Sequence, residues 1–342
     1  ILRRSRRGVK LIKLTNYCFI MKTNYFRTIS LLSITVMMSA AFQACNKQAG
    51  SMANEDATSR NSLDTRAVGV KTPKFTVYIE TNDINPLNAG EYYFCNSSPR
   101  EEVVDHVILF ASNIRGDSTS AWLHHNPNQT HILNNVSTLV QPLQNKGIKV
   151  ILGLLGDHTG VGFSNLTSAM IDSFAQQVAT CVNTKGLDGV LLDEEYADYW
   201  NAPAGLPTPS SSILSSLILK LRELLPTKKI MVFWYGNYMQ GISPAAINAI
   251  DYFHPDYGCH YPTSGIPASK WSKLTIRETN EGGSIPDQET IRSCSSDYDG
   301  FGEVMLFNLR PLGATTNIMN WFSDNLWEKT VCWTGTVHPK NY

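Results

Sequence analysis

From residue 75 onward the chain alternates short apolar runs with longer stretches whose apolar positions recur at helical spacing. Runs at 75–80, 106–111, 150–155, 190–192, 230–234, 250–253, 274–277 and 304–307 are too short for helices. They predict strands, the 190–192 run in particular one buried on both faces as in a parallel sheet. Ile132, Val136, Leu139, Val140 and Leu143 carry helical spacing across 131–145 despite Pro142, and further helices are expected at 167–184, 213–225 and 317–326. Strand followed by helix, repeated, is the order of a βα fold. Eight strands in about 270 residues fit a single (β/α)8 barrel, with room for irregular or shortened helices, since such domains run to about 250 residues.

One strand ends in acids. The stretch Gly186-Leu-Asp-Gly-Val-Leu-Leu-Asp-Glu-Glu-Tyr-Ala-Asp-Tyr199 passes from an apolar run to Asp193, Glu194 and Glu195. Alternation along a strand sends Asp193 and Glu195 to one side, roughly 6 to 7 Å apart along the chain at about 3.3 Å per residue, and Glu194 to the other. The C-terminal end of a buried parallel strand is where (β/α)8 barrels place their chemistry. Like charges held close in a poorly hydrated site resist ionising together, so one carboxyl should stay protonated and serve as a general acid. On spacing alone, a solvated acidic turn is an equal alternative.

The residues carry a resemblance as well. Asp188-Gly-Val-Leu-Leu-Asp193-Glu-Glu195 resembles the DGxDxDxE signature of glycoside hydrolase family 18, and its extension through Tyr199 resembles the bacterial endo-β-N-acetylglucosaminidases of the H and F1 type. The similarity runs on through Tyr78-Ile-Glu80-Thr-Asn82, Val107-Ile-Leu-Phe110-Ala-Ser-Asn113, Gln141-Pro-Leu-Gln144 and Leu155-Gly-Asp157-His158. It spans residues 75–308 and weakens after Leu225. One departure stands at its centre: the first aspartate of the DxDxE series falls on Leu191. That aspartate lies behind the second and shares its proton, so Asp193 here must work alone, with retained activity and a changed pH profile expected.

The resemblance implies an endo-β-N-acetylglucosaminidase that cuts the β-1,4 bond of the GlcNAc-GlcNAc core of N-linked glycans. Family 18 enzymes retain configuration without a protein nucleophile, the substrate's 2-acetamido oxygen attacking instead. Glu195 would be the acid, Asp193 the group that orients the acetamide, and Tyr257 its hydroxyl partner, although a one-residue gap leaves Asp256 open as the inward residue. Glu80, Asn82, Phe110, Asp157, His158 and Asn308, at strand ends, would line the sugar subsites. Two long connections, 81–102 and 112–130, exceed the usual loop length and would wall a cleft. Tyr92, Tyr93, Phe94, Trp122, His124 and His125 within them are candidates for stacking on sugars, and the Pro- and Ser-rich segment 200–212 is a third wall. The alternatives are a non-catalytic surface glycan-binding protein on the same barrel, for which Leu191 speaks, and a chitinase.

Charge and the N-terminal region add the setting. The chain is formally neutral, but eight of its 29 Lys and Arg lie in residues 1–44, which hold no acid. Residues 45–342 therefore carry 21 basic against 29 acidic groups, a balance of −8 that argues against nucleic acid as a partner. Met21 opens a signal-peptide pattern that ends in Phe42-Gln-Ala-Cys45, similar to a bacterial lipobox. The expectation is upstream sequence at 1–20, a lipoprotein signal peptide at 21–44, an acylated Cys45 followed by a flexible tether to residue 74, and the barrel at 75–342. The protein would be a monomer anchored by its lipid to the outer membrane, at the cell surface. The eight histidines lack ligand spacing, and neither a metal nor a cofactor is implied. Cys95, Cys181, Cys259, Cys294 and Cys332 are an odd number, so at least one is unpaired, and Cys181 falls in an apolar helix pattern where burial is expected.

Overall fold

A computed structural model describes residues 71–263, 265–279 and 282–342. The expected signal peptide and the expected lipobox at Cys45 lie outside the described residues. Eight parallel strands carry the fold: β1 (Lys74–Glu80), β2 (His106–Gly116), β3 (Lys149–Leu155), β4 (Gly189–Asp193), β5 (Lys229–Trp234), β6 (Tyr252–Pro255), β7 (Ser272–Glu278) and β8 (Glu303–Phe307). From β1 to β6 each strand pairs with its successor in the chain, β7 pairs with β8, and β8 pairs with β1. A single parallel bridge from Phe253 to Trp271 joins β6 to β7 and closes the ring. This is the (β/α)8 barrel expected.

Alternation sorts the strand residues into two cores. Phe75, Val77 and Ile79 of β1 face outward into a large cluster with the helices, and Val150, Leu152, Val190 and Leu192 do the same. Tyr78, Ile108, Phe110, Ile151, Leu191, Met231 and Met305 face inward and fill the barrel. The outer cluster is completed by Ser168–Thr184, whose start is capped by the Thr167 hydroxyl, and by Ser211–Leu224, capped by Ser210.

Several expected elements differ in detail. The helix at 131–145 is three short pieces, Pro127–Asn134, Val136–Leu139 and Gln141–Asn145. Asn135 leaves helical geometry, and Pro142 brings no N–H to continue a ladder. The connection 112–130 is largely a hairpin: β2 continues to Gly116 and turns back as Ala121–His124. The turn is held by Asp117 Oδ1, which accepts from the amides of Thr119 at 2.7 Å and Ser120 at 2.9 Å. In the connection 81–102, Tyr92–Phe94 pairs antiparallel with Val331–Trp333 near the C-terminus. Cys95–Cys332 staples that pair, and Cys259–Cys294 forms a second disulfide. Cys181 is free and half-buried rather than enclosed. Lys71, placed by sequence in the tether, is held by Asp105 at 2.5 Å and lies over the Trp327 ring.

The Cys95–Cys332 bond spans 237 residues. Replacing both cysteines by serine should lower stability by about 2 to 5 kcal/mol, seen in calorimetry as a Tm drop of at least about 5 °C. An unchanged Tm would show that the staple does not form.

Candidate active site

β4 delivers the acids. Leu191, two residues before Asp193 on the same inward face, is fully buried among inward-facing Ile151, Met231 and Met305. Asp193 follows at 4% exposure, and its Oδ1 accepts from the Glu195 amide at 3.1 Å. The exit of β3 runs against this turn. Gly156 N–H donates to Glu195 O at 3.1 Å, and His158 N–H to Tyr196 O at 2.7 Å. A Cβ on Gly156 would lie 2.4 Å from Glu195 O, so only glycine permits the approach. Tyr196 and Asp198, at φ 59° and 54°, complete the turn in left-handed geometry, the kind of local strain that collects at functional sites.

A cavity of about 540 Å³ opens at this C-terminal end of the barrel. Asp193, Glu195 and Tyr257 all reach it, as do Glu80, Asn82, Phe110 and Asp157. Glu194 points away, its carboxylate taken by the Tyr199 hydroxyl. Asp256 is exposed and accepts from the Tyr257 amide, so Tyr257 is the inward residue. Two expected subsite residues, His158 and Asn308, are not among those that line this cavity. His158, at φ 56°, pairs with Asp198 at 2.8 Å. Asn308 follows β8 at φ 63°, and it is the preceding Phe307 that lines the cavity.

The loop aromatics divide likewise. His124 reaches the cavity from the hairpin. Tyr92 and Phe94 are buried in the outer core, Tyr93 carries the Arg100 guanidinium at 4.4 Å, and His125 bonds Ser112 at 2.7 Å. Trp122 is absent from the lining, and Trp200, in the third wall, is 84% exposed. Sequence reasoning missed Tyr78, Arg115, Tyr196, Phe233 and Arg277, all of which line the cavity. Parity was the available signal for Tyr78, which shares the face of Glu80, and for Phe233, which shares that of Met231. Arg115 needed the hairpin, where it pairs with Asp157.

Burial, followed by the Glu195 and Glu194 charges, pushes the Asp193 carboxyl well above the ordinary range, against the pull of the Glu195 amide. Glu195 is also raised, by burial and then by the Asp256 charge. Both acids of the pair are therefore lifted. Burial raises the Tyr257 hydroxyl too, while Arg277, 6.0 Å from its ring, opposes the shift. Among the described residues, no group of three or more His, Cys, Asp or Glu could hold a metal ion.

Two raised carboxylates at the C-terminal mouth of a (β/α)8 barrel, facing a tyrosine hydroxyl inside aromatic walls, define the class: a glycoside hydrolase. No protein-family model matches the chain. It is 32% identical over 250 residues to endo-β-N-acetylglucosaminidase F1 of Elizabethkingia meningoseptica, covering 70% of this chain and 72% of that one. It is 34% identical over 242 residues to an endo-β-N-acetylglucosaminidase of a Flavobacterium species, covering 69% and 75%. A crystal structure of Bacteroides thetaiotaomicron EndoBT-3987 with a Man9GlcNAc2Asn substrate superposes with a TM-score of 0.68 at 26% identity, covering 81% of this chain and 70% of that one. The chain belongs to the endo-β-N-acetylglucosaminidases of glycoside hydrolase family 18.

Two outcomes follow from the geometry. As a general acid Glu195 would work only while protonated; with its carboxyl raised, the alkaline limb of kcat/KM would then lie above the ordinary carboxylate range and move down when Asp256→Asn removes the neighbouring charge. A pH profile of both forms checks this. Leu191→Asp would place a polar group among apolar neighbours and should cost about 3 kcal/mol, read from urea midpoints. A cost below about 1 kcal/mol would mean that the inner layer admits water.

Proposed function

We propose that this enzyme cuts the β-1,4 bond between the two core GlcNAc residues of N-linked glycans, leaving one GlcNAc on the protein, by a retaining, substrate-assisted route. The observation that carries the reading is the convergence of Asp193, Glu195 and Tyr257 on one cavity. Similarity to an enzyme captured with Man9GlcNAc2Asn supports the substrate class. Glu195 protonates the leaving glycosidic oxygen and then takes a proton from water. Asp193 orients the acetamido N–H and stabilises the positive oxazolinium, an electrostatic role favoured by its enclosure. The Tyr257 hydroxyl contacts the acetamido oxygen. Glu80, Asn82, Phe110 and Asp157 bind the flanking sugars, Asp157 steadied by Arg115.

Both acids reach the cavity, which favours the enzyme over a barrel that only binds glycans. We also infer that Cys45 is acylated and tethers a monomer to the outer membrane at the cell surface. Two disulfides support an exported domain, since such bonds persist in oxidising compartments.

Incubating residues 46–342 with an oligomannose and a complex glycoprotein, and weighing the products by mass spectrometry, tests the reaction. Glycans released with one reducing-end GlcNAc are expected, with Glu195→Gln slower by about 10²- to 10⁴-fold. Equal release by Glu195→Gln would remove that residue from its role.

A further inference from the structure

Glu195 stands beyond the sheet. β4 ends at Asp193, and the last rungs of its ladders join Asp193 to Leu155 and Leu192 to Val232. Glu195 therefore belongs to the turn that follows, and among the described residues its carboxyl makes no hydrogen bond or ion pair. Such a group goes where its backbone carries it. Whatever holds residues 194–199 thus sets where its proton is delivered.

Main-chain bonds hold part of that turn. The N–H groups of Gly156, His158 and Gly160 donate to the carbonyls of Glu195, Tyr196 and Ala197 at 3.1, 2.7 and 2.9 Å. Tyr196 and Asp198 nevertheless sit in left-handed geometry, which persists only where the surroundings enforce it. A side-chain bridge closes the turn. The Tyr199 hydroxyl donates to Glu194 Oε1, and its oxygen accepts the Ser164 N–H at 2.9 Å. That amide can only donate, so the phenol proton is left for Glu194. A carboxyl keeps an accepting oxygen whether or not it is ionised, and the bridge needs no particular charge on Glu194. Room for the phenol is built in: a Cβ on Gly162 would stand 2.4 Å from its oxygen, and the Tyr238 ring meets the Tyr199 ring edge-on at 5.4 Å. Replacing both partners of such a bond by apolar side chains of the same shape costs a fold little, so stability alone gives no reason for the bridge.

We propose that Glu194 and Tyr199 are positioning residues for Glu195: their bridge closes the turn after β4 around residues 195–198 and holds the Glu195 carboxyl where the leaving glycosidic oxygen sits. The inference rests on the reading of Glu195 as the general acid. A displacement of about 1 Å is enough to weaken a catalytic group severely. Neither Glu194 nor Tyr199 lines the cavity, so what they do for the reaction passes through Glu195.

Tyr199→Phe removes one oxygen and leaves the ring, and Glu194→Ala breaks the bridge from its other end. Each should lower kcat/KM on an oligomannose glycoprotein about tenfold. On a nitrophenyl glycoside of the same glycan, whose nitrophenolate departs without a proton, kcat/KM reports bond cleavage that needs no acid and should change by less than about twofold. Glu194→Gln keeps an accepting oxygen and should stay within about threefold of wild type on both substrates. Thermal melts establish which variants fold, and either bridge-breaking variant decides alone if the other does not. Equal losses on the two substrates, or a glycoprotein kcat/KM within about twofold of wild type, overturn the proposal. A loss in Glu194→Gln as large as in Glu194→Ala would assign the effect to charge and overturn it too. Failure of the underlying reading looks different: Glu195→Gln would then cleave the glycoprotein at the wild-type rate.

Discussion

A strand in a closed parallel barrel has no face toward water. Every residue points either out, against the helices, or in, toward the barrel axis, and one step along the chain exchanges the two. On β4 this places Val190 and Leu192 in the outer core, while Leu191 and Asp193 enter the barrel one above the other. Glu195 continues on the cavity side, and Glu194 leaves to meet Tyr199. Enclosure of the acid and support of the barrel thus come from a single strand, and a slip of one residue would lose both.

Enclosure sets the electrostatics. Burial is the first cause of the rise at Asp193 and at Glu195, with neighbouring carboxylates adding to it. Lower in the barrel the same enclosure has the opposite outcome at Glu303, because two imidazoles and a hydroxyl surround its oxygens. The barrel therefore holds one carboxylate stabilised by partners and, above it, two kept poorly solvated. Their difference lies in hydrogen bonding rather than depth.

The cavity walls depend on chain segments that meet only in the fold. Continuation of β2 into the hairpin with Ala121–His124 brings Arg115 to Asp157 and His124 to the rim. Pairing of Tyr92–Phe94 with Val331–Trp333, with its disulfide, draws Tyr92 and Phe94 into the core, and neither lines the cavity. Aromatic residues in long connections are equally suited to either fate, and the partner strand decides which.

The sequence by itself determined the order of strands and helices, the barrel, and the arrival of Asp193 and Glu195 on one side, because each follows from local periodicity. Periods of two and of about 3.6 are properties of neighbouring residues and survive without tertiary context. It also carried Glu80, Asn82, Phe110, Asp157 and Tyr257 to the cavity, through position at strand ends and family resemblance. Only the tertiary structure decided the left-handed backbone of His158 and Asn308, since such geometry at a strand exit depends on what the next segment must reach. It alone joined Tyr78, His254 and Glu303, which stand on three strands and touch only because the barrel closes. Contacts across a closed ring leave no mark in the local pattern of any one strand.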